Sequence, residues 1–64
     1  MSQPSIHALF EHEQGYKWEE RFTSKSAFKR RLDKLKDATW LHAVDFREGI
    51  AVYPSNVYGY LRNM

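Results

Sequence analysis

Three histidines, at positions 7, 12 and 42, and eight carboxylates are the residues with which this 64-residue chain would have to do metal or proton chemistry. A metal centre needs three or four such side chains converging on one point. His7 and His12 are five residues apart, so on one strand they face opposite ways, and His42 lies on a distant segment. They read as surface or edge histidines, and no metal site is expected. Glu11, Glu13, Glu19 and Glu20 crowd around one stretch and could in principle supply an acid and a base. Nothing in the neighbouring sequence builds the pocket that would raise the pKa of one of them. Asp45, Glu48 and Lys17 match neither the order nor the spacing of a metal-assisted nuclease.

Gly15, Gly49 and Gly59 are too scattered to form a phosphate-cradling loop. Ser24, Ser26 and Ser55 read as capping or turn residues with no base near them in prospect, and there is no cysteine. The expectation is a chain that is not an enzyme, with no catalytic residue and no cofactor.

Binding chemistry is better represented. Net charge is only +2, but residues 1–20 carry −3, residues 21–36 carry +6 and residues 37–64 carry −1. The basic charge is therefore concentrated in one segment. At about 100° per residue on a helix, Lys25, Lys29 and Lys36 share one flank, while Arg30 and Lys34 point away from the apolar stripe. Such a face suits an acidic protein or a phosphate backbone, and either contact would weaken with salt. It also suits plain solvation, because Lys and Arg are good helix formers whose stems cover apolar surface.

Tyr53, Tyr58, Tyr60 and Arg62 place four residues of types enriched at protein–protein hot spots within ten positions. Two of the tyrosines are also candidates to complete a small core. An RNA-stacking sheet face is a poorer match, since the outward parity reads His7, Leu9, Glu11, Lys17, Glu19, Arg21, Leu41, Ala43, Asp45, Ala51 and Tyr53, with mixed charge and one clear ring. Leu9, Leu41 and Ala43 on that face could extend a contact patch.

The elements that position these residues follow from hydrophobic period. Residues 5–13 alternate with Ile6, Ala8 and Phe10 on one side, Gln14-Gly15 makes a turn, and residues 16–22 alternate Tyr16, Trp18 and Phe22 against Lys17, Glu19 and Arg21. This predicts a hairpin. Glu20 is its misfit, sharing parity with Trp18 and Phe22, and a bulge at Glu19-Glu20, an edge position or a salt bridge to Arg31 would each resolve it.

Thr23-Ser24 offers a cap for an amphipathic helix over 25–36 with Phe28, Leu32 and Leu35 inward. Trp40 to Phe46 and Ile50 to Tyr53 form a second hairpin around Arg47-Glu48-Gly49, closed by Pro54. Residues 55–64 fit either a short helix, through Val57 and Leu61, or a fifth strand. The fold class expected is α+β: one antiparallel sheet of about four strands in ββαββ order, with the helix packed across one face, all in a single domain spanning residues 1–64.

A chain this short has a core that stabilises it by only about 3–5 kcal/mol. Its aromatic content, two Trp, four Phe and four Tyr, compensates for the missing disulfides. No apolar run is long enough to span a membrane, and Met-Ser-Gln-Pro has neither a charged n-region nor an apolar h-region, so a cytoplasmic protein is expected. The function expected is a small protein-binding module, an inhibitor or adaptor of the kind phages direct at host machinery. The alternative is a nucleic-acid-binding protein that lays the basic helix, 25–36, along phosphates. Self-association into a homo-oligomer is compatible with both.

Overall fold

The protein is described by a computed structural model covering residues 3–62; Met1, Ser2, Asn63 and Met64, the ends of the expected domain and tail, lie outside the described residues. The chain runs β1 (Ile6–His12), β2 (Lys17–Phe22), α1 (Lys25–Asp33), β3 (Ala38–Asp45), β4 (Ile50–Val52) and α2 (Val57–Leu61). The four strands form one antiparallel sheet in the order β2-β1-β3-β4. This is the α+β arrangement that the alternation implies, with both hairpins where the sequence puts them.

Ile6, Ala8 and Phe10 of β1 point into the core and are all but inaccessible. The first hairpin closes where Gly15, at φ +103°, takes a backbone conformation that costs other residues strain. β2 is an edge strand in regular register with β1, so there is no bulge at Glu19-Glu20. Glu20 is accommodated by a two-pronged ion pair, with Arg31 Nε donating to Oε1 at 2.8 Å and Arg31 Nη2 to Oε2 at 2.9 Å. Trp18 Nε1 donates to Oε2 of the same carboxylate at 2.7 Å. The pair straps α1 to the edge of the sheet. First the Arg31 hydrogen bonds, then the Trp18 bond and the guanidinium charge, hold the Glu20 carboxyl below the usual range against the opposing effect of burial.

α1 starts as the sequence indicates, with Ser24 Oγ accepting from the Ala27 N–H at 3.2 Å. It ends at Asp33, three residues earlier than the apolar spacing suggests. Lys34 leaves helical geometry and its N–H reaches the carbonyls of Arg31 and Leu32, while Leu35 N–H bonds Leu32 O. The tightened end lets Leu35 pack on the core and turns the chain toward β3, where Asp37 O meets the Glu13 N–H at 2.9 Å.

β3 corrects the expected facing of its residues. Leu9 pairs with His42 but Phe10 pairs with Trp40, so Leu41 is an extra residue in β3 and the parity changes across it. Trp40, Ala43 and Asp45 are consequently all buried, whereas His42 and Val44 are half-buried on the opposite face. Ala43 and Asp45 therefore do not belong to the outer face. Asp45 is tolerated inside because its carboxylate is fully used: Oδ1 accepts from the Arg47 and Glu48 N–H groups at 2.9 and 3.1 Å, and Oδ2 from Tyr60 Oη at 2.6 Å. Gly49, at φ +67°, completes that turn by donating to Asp45 O at 2.8 Å.

The tail resolves as helix α2, which buries Val57 and Tyr60 and lays Leu61 against the core. Asn56 stands at its start without capping it, because the side chain is turned back to β4: Oδ1 accepts from Tyr53 N–H at 2.6 Å and Nδ2 donates to Ala51 O at 3.2 Å. These bonds fix the turn that brings α2 under the sheet. Asn56→Ala is expected to lower stability by about 1 kcal/mol, read as a fall of about 4–8 °C in Tm. An unchanged melting temperature would show that the turn does not depend on them.

Phe28 is the centre of the core. Its ring meets Phe22 at 5.5 Å, Trp40 at 5.3 Å and Tyr60 at 6.4 Å, so residues of β2, α1, β3 and α2 converge on it. Both helices pack into the core on one face of the sheet, and among the described residues no helix covers the other face.

Candidate functional site

The basic helix does not present its charges as one surface. Lys25 is turned into the fold, with Nζ 3.2 Å from Glu48 Oε2 and 4.5 Å from the centre of the Tyr60 ring. It joins α1 to the β3–β4 turn and is withdrawn from the phosphate- or partner-contacting face expected for it. Lys29 pairs with Asp33 one turn on, at 3.1 Å. Arg30, Lys34 and Lys36 are exposed and, among the described residues, make no ion pair.

The tyrosine-rich stretch divides in the same way. Tyr60 is buried and hydrogen-bonded to Asp45, so it is a core residue rather than a contact for a partner. Burial, and then the Asp45 carboxylate accepting its hydrogen bond, push the Tyr60 hydroxyl pKa well above the tyrosine range. Burial on its own would raise the Asp45 carboxyl, but the hydrogen bonds from Tyr60, Glu48 and Arg47 together with the Lys25 charge outweigh it and leave that group below the usual carboxylate range. Tyr53 lies beside His42 across the sheet, at 6.1 Å between rings. Tyr58 and Arg62, one turn apart on α2, remain exposed together, Tyr58 at 85%.

Tyr58 and Arg62 line an open groove of about 720 Å³ between the C-terminal half of α1, the start of β3 and α2. Its apolar surface comes from Leu32, Leu35, Trp40, Val57 and Leu61, and Lys29 and Asp33 supply further charge. Trp40 Nε1 is buried beside it without a hydrogen-bond partner, which leaves an indole donor unsatisfied. The sequence holds the elements of this groove in the i, i+3 spacing of Leu32 and Leu35 and the i, i+4 spacing of Val57 and Leu61. Their convergence depends on the tail being a helix, which periodicity alone left open.

The uncovered sheet face carries His7, Leu9, His42 and Val44 with Phe46 at its edge, the His7 and Phe46 rings meeting edge to face at 4.8 Å. Glu19 sits between Arg21, at 2.9 Å, and His7, at 3.7 Å. Among the described residues no group of three or more His, Asp or Glu is placed to hold a metal ion, and no helix is long and apolar enough to cross a membrane. Comparison with protein-family models, with curated proteins and with solved structures finds no match to this chain.

Proposed function

We propose that the protein is a small non-enzymatic binding module, an inhibitor or adaptor that receives a segment of a partner protein in the groove between α1 and α2. The observation that carries this reading is the groove itself: an apolar channel left open on a domain that has few apolar side chains to spare. Tyr58 and Arg62 at its side are residue types that dominate binding energy at interfaces.

Charge narrows the partner's chemistry. Lys29 is balanced by Asp33, but Arg62 on the groove's side has no acidic partner among the described residues. A segment that inserts apolar side chains into the groove and carries a carboxylate toward Arg62 satisfies both the apolar lining and that charge. The groups whose titration the fold displaces, Glu20, Arg31, Asp45 and Tyr60, are each bound to one another across elements, which supports a structural rather than a catalytic role for them.

The double variant Tyr58→Ala/Arg62→Glu tests the reading. Both side chains are exposed, so the variant is expected to melt like the wild type while losing about tenfold or more in affinity. Affinity capture from the native cell, run in parallel with both proteins, reads the difference. A partner retained by the wild type and released by the variant supports the groove; one held equally by both, or none held by either, overturns it.

A further inference from the structure

The turn end of the first hairpin carries a second surface that the groove does not use. His12 and Tyr16 continue the inward parity of Phe10 and Trp18, at the end of the sheet where α1 has finished. Their rings stack with centroids 4.5 Å apart and planes only 7° apart. The His12 imidazole is held in place, because its Nδ1 accepts from the Gln14 N–H at 3.1 Å. Trp18 stands 5.8 Å from Tyr16 and itself stacks on Phe10 of the core. Tyr16, with a ring on a fixed support, is nonetheless 57% exposed.

These three aromatic residues share one open corner of about 310 Å³ with Arg31, Lys34 and Lys36. Arg31 is committed to Glu20, but Lys34 and Lys36 are exposed and, among the described residues, unpaired. Asp37 is the one carboxylate in the lining. A flat, supported ring open to solvent with two unpaired ammonium groups beside it is complementary to a planar aromatic group that bears negative charge. Sequence-tolerant recognition of unpaired bases works through this combination of π-stacking and phosphate attraction.

We propose that this corner binds a nucleotide, its base stacked on Tyr16 and its phosphate met by Lys34 and Lys36. The volume stands at the lower end of the range for small-ligand sites, about 300–1,000 Å³, which is room for one base rather than several. Arg30, one turn before Lys34 and exposed, extends the positive charge along α1 and gives a following phosphate somewhere to go. The ligand source is therefore either a free nucleotide or one residue of a single strand.

Titration with AMP and, separately, with an eight-nucleotide deoxyadenylate at low salt tests the site, followed by quenching of tryptophan fluorescence and by the ring resonances of His12 and Tyr16. At least one probe is expected to bind, more weakly as salt rises. Tyr16→Ala should weaken it by about fivefold or more while Tyr16→Phe preserves it. Lys34→Gln/Lys36→Gln should flatten the salt dependence by roughly one to two units of slope for the single strand. Binding of both probes assigns the site to free nucleotide, and binding of the oligomer alone assigns it to a single strand.

Failure of both probes to bind overturns the proposal. So does a Tyr16→Ala protein that melts cooperatively and binds like the wild type, or a duplex that binds as tightly as the single strand. Tyr58→Ala/Arg62→Glu should leave nucleotide binding intact, so the two surfaces stand or fall separately.

Discussion

Replacing Asp45 with alanine is expected to leave most of the chain unfolded at 25 °C. The carboxylate is 3% exposed and receives three hydrogen bonds, from Tyr60 Oη and from the Arg47 and Glu48 N–H groups. A buried donor deprived of its acceptor costs about 1–3 kcal/mol, and bonds to charged groups stand at the upper end. Even with partial rehydration of the turn, the loss comes to about 3–5 kcal/mol, which matches the whole stability available to an unstapled domain of this size. Far-UV circular dichroism and urea titration read the outcome; a cooperative transition close to that of the wild type would refute it.

Asp45→Asn separates charge from connectivity. The amide oxygen still accepts from the turn, and the amide nitrogen can donate to a reoriented Tyr60 hydroxyl, so the loss should be clearly smaller than with alanine.

The same bonds set the pH range of the fold. Asp45 and Glu20 both titrate below their ordinary values in the folded state, so the unfolded chain binds protons more readily. Their contribution is fully present above the unfolded carboxylate range, near pH 4, and is lost as pH falls through the lower folded values. In Asp45→Asn this acid limb should shrink, leaving the part that belongs to Glu20. Tyr60 works in the opposite sense. Its folded pKa is raised, so its contribution is complete below about pH 10 and is lost as pH climbs beyond that.

Asp45 also marks where the sequence stops being readable. Alternation places the two hairpins, the Ser24 cap and the inward faces of β1 and α1, because each depends only on near neighbours. It even supplies the partner for the one misfit, since Glu20 and Arg31 do form the ion pair. It puts Asp45 and Ala43 outside, because a strand is assumed to keep its period of two. One extra residue at Leu41 breaks that period, and what makes the break acceptable, Tyr60 closing on Asp45, lies 15 positions away in sequence.

The candidate surfaces fail to be legible for the same reason. Lys25 reads as one of a row of exposed cations until Glu48, 23 residues on, takes it out of the row. Tyr60 reads like Tyr53 and Tyr58 until α2 folds under the sheet. Tyr16 reads as a core ring of an alternating strand, and becomes exposed because α1 ends at Asp33 and leaves that end of the hairpin uncovered.

Phe28→Ala should be as damaging as Asp45→Ala, through apolar packing instead of polar satisfaction. The side chain is fully buried and its ring touches Phe22, Trp40 and Tyr60, one aromatic from each of three other elements. Truncating a core phenylalanine costs about 3–5 kcal/mol, the upper values applying where the surroundings cannot collapse into the space. Collapse is obstructed here. Trp40 is fixed on β3 by the register beyond the bulge, Tyr60 is tethered to Asp45, and Phe22 sits at the end of β2 where Ser5 N–H bonds its carbonyl at 3.1 Å.

The expected readout is a broad, uncooperative thermal transition or none, whereas Phe28→Leu, which keeps most of the volume, should melt cooperatively with a loss of about 1–2 kcal/mol. A sharp transition in Phe28→Ala within a few degrees of the wild type would mean that the core is not organised around this ring. Because Trp40 is both a neighbour of Phe28 and part of the groove, Phe28→Leu also ties fold to function. Any shift of the Trp40 ring that it causes should weaken the partner binding proposed for the groove and leave the nucleotide binding proposed for Tyr16, which rests on His12 and Trp18, unchanged.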